Sequence, residues 1–174
     1  MTHIRKLTLS AMFMAIGLVL PFFTAQIPEI GNMLLPMHFP VFLCGLICSW
    51  KYGLAVGFIL PLLRSLIFSA PIMFPRAISM AFELATYGLI VGLLYKENKG
   101  IFRLYLSLVI SMICGRIVWG IVQTFLLGTD KFTFMIFISS GFIEAIPGII
   151  LQLILIPSIM ITIKKLKKKA KADS

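Results

Sequence analysis

The stretch from Arg76 to Gly92, RAISMAFELATYGLIVG, is apolar enough to cross a membrane, yet it carries Arg76, Glu83 and Tyr87. These three lie at i, i+7 and i+11, which places them on one face of a helix with 3.6 residues per turn. Lipid cannot solvate such a stripe, because an ionised side chain at the bilayer centre costs roughly 2.5–3.5 kcal/mol on insertion scales. That face has to look onto protein or a wet cavity. Two readings follow: an internal ion pair that pins two helices together, or one wall of a binding site.

The rest of the chain fits a membrane class. Its 174 residues are 60% hydrophobic with a mean hydropathy of +1.05, beyond the roughly half-apolar make-up of soluble domains. The expectation is an all-α integral membrane protein, with residues 1–174 forming one membrane domain. Arg5 and Lys6 followed by an apolar run resemble a signal peptide, but a cut after Ala25 would place Phe23 at the third position back. The run therefore reads as a retained first span.

Segments of about 20 apolar residues mark six spans: 7–23, 37–50, 52–68, 75–95, 104–127 and 134–164. Lys51 and Gly53 read as a tight turn between the second and third. Pro75 suits the first helical position of the fourth. The second span is short and calls for tilt or a thinned bilayer.

Orientation follows from the basic residues. With both termini inside, the inner segments hold Arg5, Lys6, Lys51, Lys96, Lys99 and Arg103, and the tail adds Lys164, Lys165, Lys167, Lys168, Lys169 and Lys171. Lys131 is the one basic residue in an outer loop. That asymmetry assigns the net charge of +10 to topology rather than to nucleic acid. Anionic headgroups attract such a tail at about 1 kcal/mol per basic residue.

On this topology the remaining polar groups gather in the outer half of the membrane. Arg64 and Arg76 lie near outer helix ends. Arg116, Trp119 and Gln123 share a face of the fifth span at i, i+3 and i+7. Glu144, Gly148 and Gln152 follow at intervals of four in the sixth, and Glu29, Asn32 and His38 sit in or beside the first outer loop. Taken singly, each is explained by packing or by a helix–helix hydrogen bond. Together they outline an outward-facing small-molecule cavity with a surplus of positive charge.

Other chemistries lack their residues. No G-x-x-x-x-G-K-[ST] loop is present to hold a nucleotide phosphate, and no H-E-x-x-H motif to hold a metal. Cys44 and Cys48, one turn apart, are too few for a zinc site and read with Cys114 as reduced packing residues. His3 and His38 are expected on opposite sides, so no intramembrane serine has a histidine to activate it. The reading is a non-enzyme without a cofactor.

Small residues at four-residue spacing let helices approach closely: Ala11 with Ala15, Gly53 with Gly57, and Gly88 with Gly92. Internal packing explains the glycine pairs. The alanine pair, near the cytoplasmic third of the first helix, is where a partner subunit fits.

Six short-looped spans with both ends inside and Ala11-x-x-x-Ala15 in the first helix resemble the substrate-binding S component of energy-coupling factor (ECF) vitamin transporters. The segments GNMLLPMHFPVFLCGLICSWKYGLAVGFILPLLRSLIF, PRAISMAFELATYG and AIPGIILQLILIP are similar to that family. Ser49 departs from it, standing where glycine is usual. The resemblance implies a plasma-membrane subunit that binds a vitamin, with a transmembrane T component and two ATPase subunits completing the importer. It further implies that Ala11 and Ala15 face the T component, and that spans four to six line a site closed by the first and third outer loops.

The motifs of folate, riboflavin and thiamine binders are not clearly present. The cationic surplus favours a carboxylate-bearing ligand, since arginine pairs carboxylates bidentately, and pantothenate fits. Glu83 and Glu144 keep a hydroxylated or cationic ligand open. The candidate substrate-binding residues are Asn32, His38, Arg64, Arg76, Glu83, Tyr87, Arg116, Trp119, Gln123, Glu144 and Gln152. The rival readings are a stand-alone proton-coupled carrier using Glu83 or Glu144, and a structural or assembly membrane protein.

Overall fold

Lipid offers a backbone no hydrogen bonds, so an apolar chain of this kind satisfies its N–H and C=O groups within helices. The computed structural model describes residues 2–24, 34–95 and 100–172, which are mostly helical with no strand among them. Asn32 and Glu29 of the first loop, and Lys96 and Lys99, lie outside the described residues. The helices are α1 (His3–Thr24), α2 (His38–Cys48), α3 (Trp50–Phe68), α4 (Ile78–Leu94), α5 (Ile101–Leu127), α6 (Phe134–Ile138) and α7 (Ile146–Ala172).

Five stretches are long and apolar enough to cross a membrane: His3–Phe23, Trp50–Phe68, Met73–Leu94, Ile101–Leu127 and Phe134–Lys167. At 11 residues, α2 falls short of that length. The exterior is apolar, with Phe23 at 83% and Phe125 at 87% exposure. A surface of that kind needs lipid or a partner against it.

α4 is the central helix and packs on α2, α3 and α5, while α1 covers α2 and α3. Backbone meets backbone where α3 and α4 cross: a Cβ on Gly88 would collide with the main chain of Gly53, and one on Gly57 with that of Leu84. Absent side chains thus set the helix separation. Phe42, Leu60, Leu84, Tyr87, Leu108 and Ile156 fill the core around this crossing. The last helix, α7, leans on α5 and α2.

One boundary differs from that expected, and two wide turns interrupt regular α-helix. The break between α2 and α3 falls at Ser49, not at Lys51 and Gly53, which are already helical. Ser49 adopts φ 111° and ψ 162°, and its carbonyl accepts from the N–H groups of Tyr52 and Gly53. Pro75 directly follows Phe74, which is extended, inside a π-type turn, Met73–Ala77, that leads into α4. The sixth span, Phe134–Lys167, is one apolar stretch with an irregularity inside it. Ser139–Ile143 forms a second wide turn between α6 and α7, as helices tend to break at Ser and Gly clusters, here Ser139, Ser140 and Gly141.

Candidate functional site

Glu83 and Tyr87 are one turn apart on α4, and the Tyr87 hydroxyl donates to Glu83 Oε1 at 2.7 Å. From α5, Arg116 Nη1 reaches the same oxygen at 2.9 Å. The two helices come this close because Gly115 has no side chain: a Cβ there would overlap the Tyr87 ring. From α2, His38 Nε2 lies 3.8 Å from Glu83 Oε1, near enough for charge but beyond a hydrogen bond. The Tyr87 ring stacks on Phe42 with centroids 5.0 Å apart and lies 5.3 Å from the His38 ring. Glu83, His38 and Arg116 are all buried, so the acid's cost of leaving water is offset by one full ionic contact and one hydroxyl.

Glu83, His38 and Arg116 line a cavity of about 510 Å³. Arg64 enters from α3, Arg116, Trp119 and Gln123 from α5, and Ser140 and Glu144 from the turn and bend before α7. Leu35–His38, Ser69–Ile72, Lys131 and Phe132 also line it. Trp119 is held edge-on by Phe132 at 5.4 Å and stacked on Phe137 at 6.2 Å. The Arg116 guanidinium sits 5.9 Å from the Trp119 ring. The cavity carries Arg64, Arg76, Arg116 and Lys131 against Glu83 and Glu144, two more cations than carboxylates.

The cations differ in what holds them. Arg64 Nη1 donates to the Leu18 carbonyl of α1 at 2.5 Å, and its guanidinium lies over Phe22 and Phe68. Arg64 therefore ties α1 to α3 as well as facing the cavity. Arg76 and Lys131 are exposed at the rim. Arg116 keeps Nη2 without a hydrogen-bond partner, as do Gln123 Oε1 and both ring nitrogens of His38.

A second cavity of about 220 Å³ adjoins the first, lined by Tyr87, Gln152 and a set of apolar side chains. Leu35, His38 and Arg116 border both cavities. The sequence placed Glu144 and Gln152 on one helical face. The structure divides them instead, Glu144 to the larger cavity and Gln152 to the smaller, because regular helix begins only at Ile146. Arg76, in the turn before α4, and Glu83 line the larger cavity together, while Tyr87 borders the smaller one.

Several lining groups were not legible as such. Lys131 read as a topology marker, yet it joins the cavity beside Phe132. Ser69–Ile72, the connection from α3 to α4, takes part alongside the first and third loops. Among the described residues, no group of three or more His, Cys, Asp or Glu side chains is placed to hold a metal ion. Ala11 and Ala15 lie far along the chain from these groups, exposed on α1.

The family model for the substrate-specific component of ECF transporters matches residues 5–160. Comparisons with curated proteins and with solved structures find no match.

Proposed function

The chain belongs to the family of substrate-specific components of ECF transporters, and from that premise we propose that it is the substrate-binding subunit of an ECF-type importer whose ligand bears a carboxylate. Members of this family are membrane-embedded transport subunits rather than enzymes, and they work with a T component and ATPases. In this reading residues 1–174 form one six-span domain in the plasma membrane with both termini cytoplasmic. The short α2 is then the tilted second span, and the 510 Å³ cavity faces outward. A T component and two ATPase subunits complete the importer, and the ligand is a water-soluble vitamin or related metabolite such as pantothenate.

The observation that carries the ligand class is the excess of cations in the cavity. Glu83 already occupies Arg116 Nη1, which leaves Arg116 Nη2, Arg76 and Lys131 to meet an incoming anion. Guanidinium groups favour carboxylates by charge-assisted, often paired hydrogen bonds. The aromatic wall of Trp119 and Phe132 supplies apolar area for the remainder of a small molecule.

Thermal-shift screening of the purified chain against water-soluble vitamins tests the reading, because a bound ligand stabilises by RT ln(1 + [L]/Kd). Stabilisation by pantothenate, reduced in Arg76→Ala and Lys131→Ala, is the expected outcome. Stabilisation by thiamine alone would overturn the carboxylate argument and shift recognition to Glu83 and Glu144. ATP-independent accumulation that an uncoupler abolishes would point to a proton-coupled carrier instead.

A further inference from the structure

The 220 Å³ cavity is walled by Val109, Met112, Ile113, Phe142, Ile149 and Leu153, yet His38, Tyr87, Arg116 and Gln152 also border it. Gln152 is 1% exposed and its Nε2 has no hydrogen-bond partner. Arg116 Nη2 and the ring nitrogens of His38 are in the same condition. Gln152 Nε2 and Arg116 Nη2 are donors, and buried donors left unpaired are costly and uncommon. An apolar space bordered by two unpaired donors, beside an imidazole that offers one donor and one acceptor, suits an occupant that is mostly hydrocarbon and brings one oxygen.

We propose that this cavity is the inner half of the substrate site and receives an apolar end of the substrate. An adjoining acceptor oxygen then takes hydrogen bonds from Gln152 Nε2 and Arg116 Nη2. The inference rests on the reading of the larger cavity as a carboxylate site, and it makes the substrate two-ended. The carboxylate lies by Arg76 and Lys131, and the apolar end passes the shared border of Leu35, His38 and Arg116. The volume equals on the order of seven waters at about 30 Å³ each, the bulk of a short acyl chain or one ring. A lipid acyl chain would fill the same walls but leave the donors unpaired.

N-acyl-β-alanines from acetyl to octanoyl serve as probes, with Kd measured on the full chain in lipid nanodiscs. Affinity should rise about fourfold per added methylene until the cavity is full, and then fall. Ile149→Trp should flatten that rise by filling the cavity. Gln152→Leu, close in size and independent of the larger substitution's effect on folding, should weaken the longer probes about tenfold. Equal affinity along the series overturns the inner-cavity proposal while the carboxylate site stands. Failure of every probe to bind overturns both. An increase that continues past octanoyl and persists in both variants is partition into lipid and also overturns the proposal.

Discussion

Arg116 on α5 and Glu83 on α4 meet at 2.9 Å, both nearly closed off from solvent, and the same carboxylate oxygen accepts from Tyr87. Of the two readings of the charged stripe, internal pair or wall of a site, the geometry shows the pair, and both residues also line the larger cavity. The pair holds α4 to α5, and the second guanidinium nitrogen is buried without a hydrogen-bond partner. Arg116→Ala leaves the Glu83 carboxylate buried without its cation, and breaking a buried pair from one side costs about 3–5 kcal/mol. Unfolding in detergent should show a loss of that size, partly recovered when Glu83→Gln is added. Wild-type stability in Arg116→Ala would show that the pair bears no structural load.

The crossing of α3 and α4 gives a second prediction. Gly88 lies against the main chain of Gly53, so an added methyl group meets backbone, which has no rotamer to escape through. Gly88→Ala should destabilise by about 2 kcal/mol or more, since overpacking alone typically costs 1–3 kcal/mol. Gly100 has open space around it, and Gly100→Ala serves as the control, with little change in melting temperature.

How much of this was legible depended on the kind of information each residue carried. The Glu83–Tyr87 contact followed from helical period alone, and so did the demand that their face avoid lipid. The choice among Glu83, Glu144 and ligand as partner of Arg116 did not, because it depends on how α4 and α5 are rotated against each other. Gly115 decides that rotation, and a lone glycine in an apolar run does not announce which ring it makes room for. The separation of Glu144 from Gln152 was hidden because the break at Ser139–Ile143 interrupts a run whose hydrophobicity continues through it. Lys131 was read for its charge alone, when its place beside the cavity depends on the loop path after Gly128.

Ser49 exemplifies a break that a serine conceals. Its φ of 111° and ψ of 162° fall in a region that is essentially confined to glycine and costs other residues about 1–3 kcal/mol. The resemblance had marked this as the position where glycine is usual, and the backbone supplies the reason. Ser49→Gly removes the strain but adds unfolded-chain entropy of about 0.5–1 kcal/mol. The net expectation is a gain of roughly 1 kcal/mol, read as a higher midpoint in thermal unfolding. A lower midpoint would mean that the serine side chain contributes more than the strain costs.

α1 is the helix whose exterior role is least explained by this chain. It covers α2 and α3 from one side, and Gly17 takes up the close approach there, against Leu60 and Pro40. Ala11 and Ala15 are exposed, one turn apart, and form a small-residue strip against which another helix can come close. An ECF-type importer needs such a contact, since the energy of ATP hydrolysis has to reach the binding subunit from other chains. Ala11→Trp and Ala15→Trp should therefore abolish uptake in cells that also express a T component and the ATPases. The purified variants should keep substrate affinity within about twofold, because neither residue borders the cavity. The two measurements separate the possibilities. Uptake that survives both substitutions moves the docking surface to another face, whereas loss of binding along with uptake would make the strip part of the fold rather than of an interface.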